Sequence, residues 1–518
     1  MATNSIPETV EEPTYNATMD LLEGNLAAGR GSRPYLVTED RTWSYEEVAE
    51  ATHAASVGLL DMGLKWGDRI LLATRDSPDF VLAFWAAIRA GLVPVPVAQG
   101  LSVSDLNFIL ADSEARAALC DESSAVSLSK AAEGTDARLI FAGDSPRAGM
   151  TLWADIRAER GGVPPASTTE DDVALWLYTS GTTGLPKAVM HRHKTLGAAP
   201  GALSRQVVGM EADDVVLSVS RMFFAYGLGN SVYLPAAVGA SVVINDGPVL
   251  PARVAELVEE HRPTVVFGVP AFFDGFTRLK EFKLPSSVRV VVSAGEALSV
   301  QLFERFQSKF GLPLLDGLGS TEALHHVTSN RPDDVVAGSA GRALDGYVAE
   351  VRDRDGQPLP EGERGELWVK GPTTFIGYWR RPELTARVRE GEWVRTGDQV
   401  RMLDGRLFHE GRLDDLIKLG GVWVAPMEIE DVLRGHKDVT DVAVVAVDEG
   451  AGVPLLKAFV RSERSDAALR RELISLCRGR LATFKVPQSF EVVPELPRTP
   501  TGKLKRFVLR EQGDETRS

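Results

Sequence analysis

The sequence predicts an α/β protein: a large N-terminal body of α/β sub-domains with parallel sheets, then a small α+β domain. Three observations carry this. Short β-branched runs alternate with amphipathic segments over most of the chain. No internal repeat breaks the alternation. Beyond Gly411 the pattern changes to a short mixture of strands and helices.

In order, the strand-like runs of the body are Arg69–Ala73, Val173–Tyr178, Val215–Val219, Ser241–Ile244, Thr264–Val269 and Val288–Val292. Helix-like segments lie between them at Ser44–Met62, Asp79–Ala90, Pro251–His261 and Val300–Phe310. The polar segment Gly161–Asp172 is a loop leading into the Val173 run. Arg401–Glu410 reads as a hairpin around Asp404-Gly405. Ala425–Leu433 reads as a helix, with Pro426 in its first turn and Gly435 beyond its end. Strands at Val442–Val447 and Leu455–Val460 follow, then a helix over Ala467–Leu481 and a polar, frayed end at Arg510–Ser518.

Composition narrows the function classes. The chain has 518 residues, and at roughly 150 per domain this suggests about three units. With 44% hydrophobic and 25% charged residues, disorder of the whole chain is excluded. Lys+Arg of 57 against Asp+Glu of 72 leaves a net charge of −15. Such a chain is unsuited to non-specific nucleic-acid or anionic-membrane binding, and any polyanion must be held by local donors. Two cysteines, Cys120 and Cys477, make no disulfide framework and no zinc site. Met1–Glu12 has no apolar core, and Arg89, Gly91, Pro94 and Pro96 interrupt the apolar stretch Val81–Val97. A cytoplasmic location, with no membrane and no nucleic-acid partner, is expected.

The most informative segment is Tyr178-Thr-Ser-Gly-Thr-Thr-Gly-Leu-Pro-Lys187, which begins where a strand-like run ends. Gly181 and Gly184 let backbone N–H groups approach an anion closely. Thr179, Ser180, Thr182 and Thr183 add hydroxyls, and Lys187 adds a positive charge. This is a phosphate cradle by chemistry. It is not a Walker A loop, because Pro186 precedes Lys187 and Ala188 follows it.

This string resembles the signature of the adenylate-forming superfamily, which includes acyl-CoA and aryl-CoA synthetases, peptide-synthetase adenylation domains and beetle luciferases. Further motifs follow in family order: Gly317-Leu-Gly-Ser-Thr-Glu322, Tyr378 in Gly-Tyr-Trp, Trp393-Val-Arg-Thr-Gly-Asp398, Gly411-Arg-Leu-Asp-Asp-Leu-Ile-Lys-Leu-Gly-Gly421 and Pro500-Thr-Gly-Lys503. The resemblance implies ATP, Mg2+ and coenzyme A, with domains 1–411 and 412–518. The second domain would be a mobile lid hinged near Asp414. It implies that Glu322 holds Mg2+ and Thr321 meets the α-phosphate. Gly295, Glu296 and Ala297 would line the adenine side, Asp316 and Gly317 would help bind ATP or AMP, and Asp398 would hold the ribose, with Arg412 on the same ribose or on the phosphate. Lys503 would serve adenylation electrostatically. Lys418, Gly420 and Gly421 would serve the thioester step, with Phe484 and Lys485 near the CoA phosphates. His191 and His193 read as polar residues at a helix entry, not as ligands.

Met222-Phe-Phe-Ala-Tyr-Gly-Leu-Gly-Asn230, with Asp316 to His325 and Ser329-Asn-Arg-Pro332, resembles the benzoate-CoA ligase subfamily. That implies an aromatic carboxylic acid substrate, with Ala225 leaving room for a ring, Tyr226 as an apolar wall, and Gly319 and His325 near the carboxylate. Phe223 and Phe224 are either pocket or core aromatics. Two departures stand out. Leu318 replaces the usual aromatic beside adenine, and His326 replaces an aliphatic residue after the histidine. His326 either meets a ring substituent, as in an amino- or hydroxybenzoate such as 2-aminobenzoate, or points away from the acid. The resemblance leaves the thiol acceptor open between CoA and a carrier protein's pantetheine. A nucleotide-binding module without acyl chemistry would lack Lys503, Glu322 or Asp398. A monomer or homodimer is expected.

Overall fold

The computed structural model describes residues 14–158, 163–180, 186–419, 422–448, 454–498 and 504–515. Two compact units divide the chain. The first comprises Met1–Val249, Thr321–His325 and Pro372–Pro382, and the second Leu250–Ser320, His326–Gly371 and Glu383–Ser518.

In the first unit, Val93–Pro96, Arg69–Ala73, Ala117–Cys120, Arg138–Phe141 and Thr151–Leu152 form a parallel sheet in that order. Helix Pro78–Arg89 starts with Pro78 in its first turn, and the Ser77 side chain accepts from Phe80 N–H. Its residues from Phe80 to Arg89 are all buried, which explains the apolar run there. Helix Tyr45–Asp61 begins with a capping box between Ser44 and Glu47. A second sheet holds Pro34–Val37 between Thr42–Ser44 and Ser241–Val243, with Val215–Ser218 parallel to the latter. The Val173–Ser180 strand departs from the parallel expectation. It is antiparallel to Pro186–Arg192, which also pairs with Gly377–Tyr378. The connection from Ser180 to Pro186 is too short for a parallel crossover.

In the second unit, Val265–Gly268, Val290–Ser293 and Leu314–Gly319 are parallel. His326–Ser329 and Arg342–Ala343 extend this sheet antiparallel. Helices Pro251–His261 and Val300–Phe310 have the expected bounds. An antiparallel sheet contains Val348–Arg352, Arg364–Lys370, Trp393–Leu403 and Arg406–Arg412. Asp404 and Gly405 turn its last hairpin at φ 50° and 70°, the left-handed pair a two-residue turn needs.

After the turn Leu413–Asp415, the short hairpin Ile417–Leu419/Val422–Val424 precedes helix Pro426–Arg434. Gly435 ends that helix while staying right-handed at φ −68°. Strands Asp441–Asp448 and Pro454–Arg461 are antiparallel, and Ser489–Val493 runs parallel to the latter. One face packs Val442, Val444, Leu456 and Val460 with Ile429, Leu433, Leu469 and Leu473 from two helices. The frayed C-terminal end is a correction: Arg506–Glu515 is a helix. Leu509 is buried with Val445, Val447 and Phe459, and Arg506 pairs with the buried Glu430 carboxylate. Two anchors stabilise an otherwise polar helix. Among the described residues, no helix is long and apolar enough to cross a membrane.

Candidate active site

The strand pair Val173–Ser180/Pro186–Arg192 places Thr179 opposite Lys187. The tips of both strands therefore flank the phosphate loop, whose Gly181, Thr182, Thr183 and Gly184 lie outside the described residues. The entry strand is fixed from below. Tyr178 Oη donates to Asp112 Oδ2 at 2.7 Å, and Asp112 also accepts from Arg381 at 2.8 Å.

Glu322 occupies a single turn, Thr321–Ala323, in the first unit. Three hydrogen bonds hold that turn. His191 Nε2 donates to the Thr321 carbonyl at 2.8 Å, Phe375 N–H to the Glu322 carbonyl at 2.8 Å, and Thr373 Oγ1 to the Ala323 carbonyl at 2.6 Å. Tyr378 Oη donates to Glu322 Oε1 at 2.6 Å. Lys187 Nζ lies 3.9 Å from the same oxygen and 3.9 Å from the centre of the Tyr378 ring. The Glu322 side chain is 17% exposed, so a partly open hard oxygen ligand stands beside a fixed cation. This fits Mg2+, which takes one or two carboxylates and completes its shell with phosphate and water. Leu324, fully buried, has φ 64° and turns the chain sharply from Glu322 to His325.

His325 Nε2 lies 3.2 Å from Asn230 Oδ1. Its ring sits 5.5 Å from that of Tyr226, which shares the short helix Ala225–Leu228 with Ala225. Burial pushes the imidazole down to about 4, against a hydrogen bond with the Tyr226 backbone, so the ring is neutral near pH 7. Gly229 permits this packing: a Cβ there would meet His325 Cδ2 at 2.4 Å. Ala225 and Tyr226 are half-buried. Phe223 is 9% exposed and packs on Phe224 with centroids 4.2 Å apart.

In the second unit, Gly319 lies opposite His326 across the Leu314–Gly319/His326–Ser329 pair. His326 is 3% exposed, with its ring on the Gly317 backbone. Asp316 and Ser293 are buried, and Asp316 Oδ1 and Ser293 Oγ make no hydrogen bond among the described residues. Burial pushes the Asp316 carboxyl well above the usual range. The loop from Ser293 to Ala297 turns at Gly295, φ 89°. Asp398 is buried at the centre of a small cluster. It accepts from His409 Nε2 at 3.2 Å and Arg412 Nη1 at 3.0 Å. Burial alone would raise its carboxyl, but the His409 hydrogen bond and the Arg412 charge hold it far below the usual range.

Lys418 pairs with Trp423 in the short hairpin, and Gly420, Gly421 and Lys503 lie outside the described residues. Asp414 is exposed in the Leu413–Asp415 turn. Phe484 is 45% exposed. Lys485 Nζ is held by both oxygens of Glu428 at 2.7 and 2.6 Å.

Three contributors escape a reading of the sequence alone. His191 is not a helix-entry residue but a buried strand residue bonded to the Thr321 turn. His193, by contrast, does begin a helix. His409 was legible in principle, since counting back from Asp404-Gly405 brings it and Arg412 toward Asp398. Arg498 binds Glu296 and has no local signal.

The model of the AMP-binding enzyme family matches residues 25–379, and that of its C-terminal domain matches residues 428–503. The chain belongs to the AMP-binding enzyme family. This AMP-binding enzyme is an AMP-forming acid–thiol ligase of the adenylate-forming superfamily, working with ATP, Mg2+ and coenzyme A. It is 36% identical to the 4-hydroxybenzoate–CoA/benzoate–CoA ligase of Rhodopseudomonas palustris, over 96% of this chain and 94% of that one. It superimposes on the anthranilate CoA ligase AuaEII in complex with anthranoyl-AMP with a TM-score of 0.92 and 31% identity, covering 97% and 98% of the two chains. The benzoate CoA ligase of Burkholderia xenovorans gives a TM-score of 0.89 at 35% identity, with 96% and 100% covered.

Proposed function

We propose that this enzyme adenylates a benzoate-type carboxylic acid and transfers the aryl group to CoA. The observation that carries this reading is the half-buried Ala225–Tyr226 wall beside a neutral, buried His325. A flat apolar ring finds surface there. Relatives acting on benzoate, hydroxybenzoates and anthranilate support the same reading.

In the first half-reaction the acid's carboxylate oxygen attacks the α-phosphorus of ATP, and pyrophosphate leaves. Thr179, Ser180, Gly181, Thr182, Thr183, Gly184 and Lys187 cradle the phosphates. Asp398 accepts the ribose hydroxyls, with Arg412 beside it, and remains ionised because His409 and Arg412 stabilise its charge. Gly295, Glu296, Ala297, Asp316 and Gly317 line the adenine, whose polar edge would satisfy the orphaned atoms of Asp316 and Ser293. Thr321 contacts the α-phosphate. Glu322, held by Tyr378, would hold Mg2+, which would supply neutralisation of phosphate charge. Lys503 stabilises the charge that builds on the α-phosphate. In the second half-reaction the CoA thiolate attacks the acyl carbon and AMP leaves. The segment 412–518 turns at Asp414 for this step, with Lys418, Gly420 and Gly421 along the thiol arm and Phe484 and Lys485 near the nucleotide of CoA.

His326, buried and following His325 directly, tunes the acid toward ring-substituted benzoates such as 2-aminobenzoate. The enzyme works in the cytoplasm as a monomer or homodimer; two buried free cysteines suit a reducing compartment. The test is an AMP- and thioester-detecting assay over substituted benzoates, cinnamates and short fatty acids, with CoA or a holo carrier protein as acceptor. Aryl-CoA from a benzoate is the expected product. Preference for fatty acids, or for the carrier protein, overturns the reading.

A further inference from the structure

Arg498 joins two parts of the chain that are distant in sequence. Its Nη2 lies 2.6 Å from Asp441 Oδ2, at the start of strand Asp441–Asp448, and its Nη1 lies 3.4 Å from Glu296 Oε1 in the Ser293–Ala297 loop. All three residues belong to the second unit. The three side chains are 33%, 20% and 27% exposed, so this is a half-buried, shared ion pair rather than a surface one. Glu296 is tethered a second time, by the backbone N–H of Ala271.

The backbone around Arg498 is equally constrained. Arg498 forms an antiparallel bridge with Leu504, and Lys505 N–H donates to the Pro497 carbonyl at 2.8 Å. Two residues further, Arg506 binds Glu430 and lies 3.3 Å from Asp415, next to Asp414. An arginine fork fixed on one carboxylate and reaching a second transmits position, because its planar donors tolerate little displacement. A half-exposed pair contributes little to stability, so its effect is expected in geometry.

We propose that Arg498 is a positioning residue for adenylate formation. Anchored on Asp441, it engages Glu296 of the Ser293–Ala297 loop and, five residues before Lys503 in sequence, sets where the segment that carries that lysine starts relative to the loop. The inference rests on the proposed role of Lys503 in the first half-reaction. The Glu296 pair is formed for adenylation and is not needed for thioester formation.

The two half-reactions test this separately in the full-length enzyme. Single-turnover benzoyl-AMP formation from ATP and benzoate is compared with benzoyl-CoA formation from supplied benzoyl-AMP and CoA. Arg498→Ala is expected to slow the first at least tenfold, with KM for ATP within threefold, and to leave the second within twofold. Arg498→Lys, which keeps the charge but not the fork that spans both carboxylates, should recover only a small part of the loss. Asp441→Asn combined with Arg498→Ala should be no slower than Arg498→Ala alone. The ratio of the two rates cancels any loss of folded protein, and Arg498→Lys and Asp441→Asn carry the test if Arg498→Ala is insoluble. An unchanged ratio, or a loss confined to thioester formation, overturns the proposal. A wild type that forms no adenylate from any aromatic acid overturns the aryl-ligase reading instead, and this inference with it.

Discussion

The Tyr378 hydroxyl and the Glu322 carboxylate meet at 2.6 Å. Tyr378 comes from the short strand Gly377–Tyr378, which pairs with the strand that begins at the phosphate loop. One hydrogen bond thus fixes an acid 56 positions away in sequence and lets Lys187 share it. A hydrogen bond to a charged group contributes about 1.5–3 kcal/mol. Tyr378→Phe should therefore slow acyl-AMP formation by roughly ten- to a hundredfold and raise the Mg2+ needed for half-maximal rate. Pyrophosphate exchange across a Mg2+ titration measures both. An unchanged Mg2+ dependence would show that Tyr378 does not orient Glu322 for the metal.

His326 gives a prediction about selectivity. It is 3% exposed on the strand beside Gly317. His326→Ile removes a buried polar ring. The kcat/KM ratio of 2-aminobenzoate to benzoate should fall by up to about tenfold, the loss of one hydrogen bond to the ring substituent. Ratios unchanged across amino- and hydroxybenzoates would exclude His326 from acid recognition.

Gly229 tests the wall from behind. A Cβ there would stand 2.4 Å from His325 Cδ2 and 2.7 Å from Tyr233 Oη. Gly229→Ala should cost about 1–3 kcal/mol by overpacking. It should also raise KM for the acid more than KM for ATP, because the displaced ring is His325. Urea unfolding and steady-state kinetics together decide it. Equal rises in both constants would mean the damage is not local.

His191 links stability to pH. Burial pushes its imidazole down to about 4, against its hydrogen bond to the Thr321 carbonyl. An unfolded histidine protonates near 6.5, so the unfolded chain binds the extra proton first as pH falls. The contribution is complete above pH 6.5 and lost on acidification toward pH 4, by at most about 3 kcal/mol. His191→Gln should destabilise the protein clearly at pH 7.5 and much less at pH 4.5. Unfolding free energies at the two pH values check this, and a constant difference would refute it.

Elements with local punctuation were legible in the sequence. Helix Val300–Phe310 matches its expected bounds because Ser299 caps it at the start and Gly311, at φ 74°, ends it. The hairpin at Asp404-Gly405 follows from the turn chemistry alone. The phosphate-loop string, Glu322 and Asp398 are singled out in the sequence by motifs whose residue types are set by the chemistry. What escaped depends on distant partners. Nothing near His191 announces the Thr321 carbonyl 130 positions away, and nothing near Arg498 announces Glu296, 202 positions away. The final helix was missed for a related reason: its polar sequence is held by Leu509 and Arg506, whose partners lie elsewhere in the chain.

The left-handed Leu324 has an evolutionary consequence. It is the single residue between Ala323, whose carbonyl Thr373 holds, and His325, so His325 and Glu322 share one constrained turn. Under the proposed roles, replacing His325 to admit a new acid also disturbs the group that prepares ATP, and such variants would lose turnover before gaining a substrate. His326 and Tyr226 lie outside that turn. Drift toward new ring substituents should therefore proceed through those two positions, and libraries built on them should retain more active members than libraries built on His325.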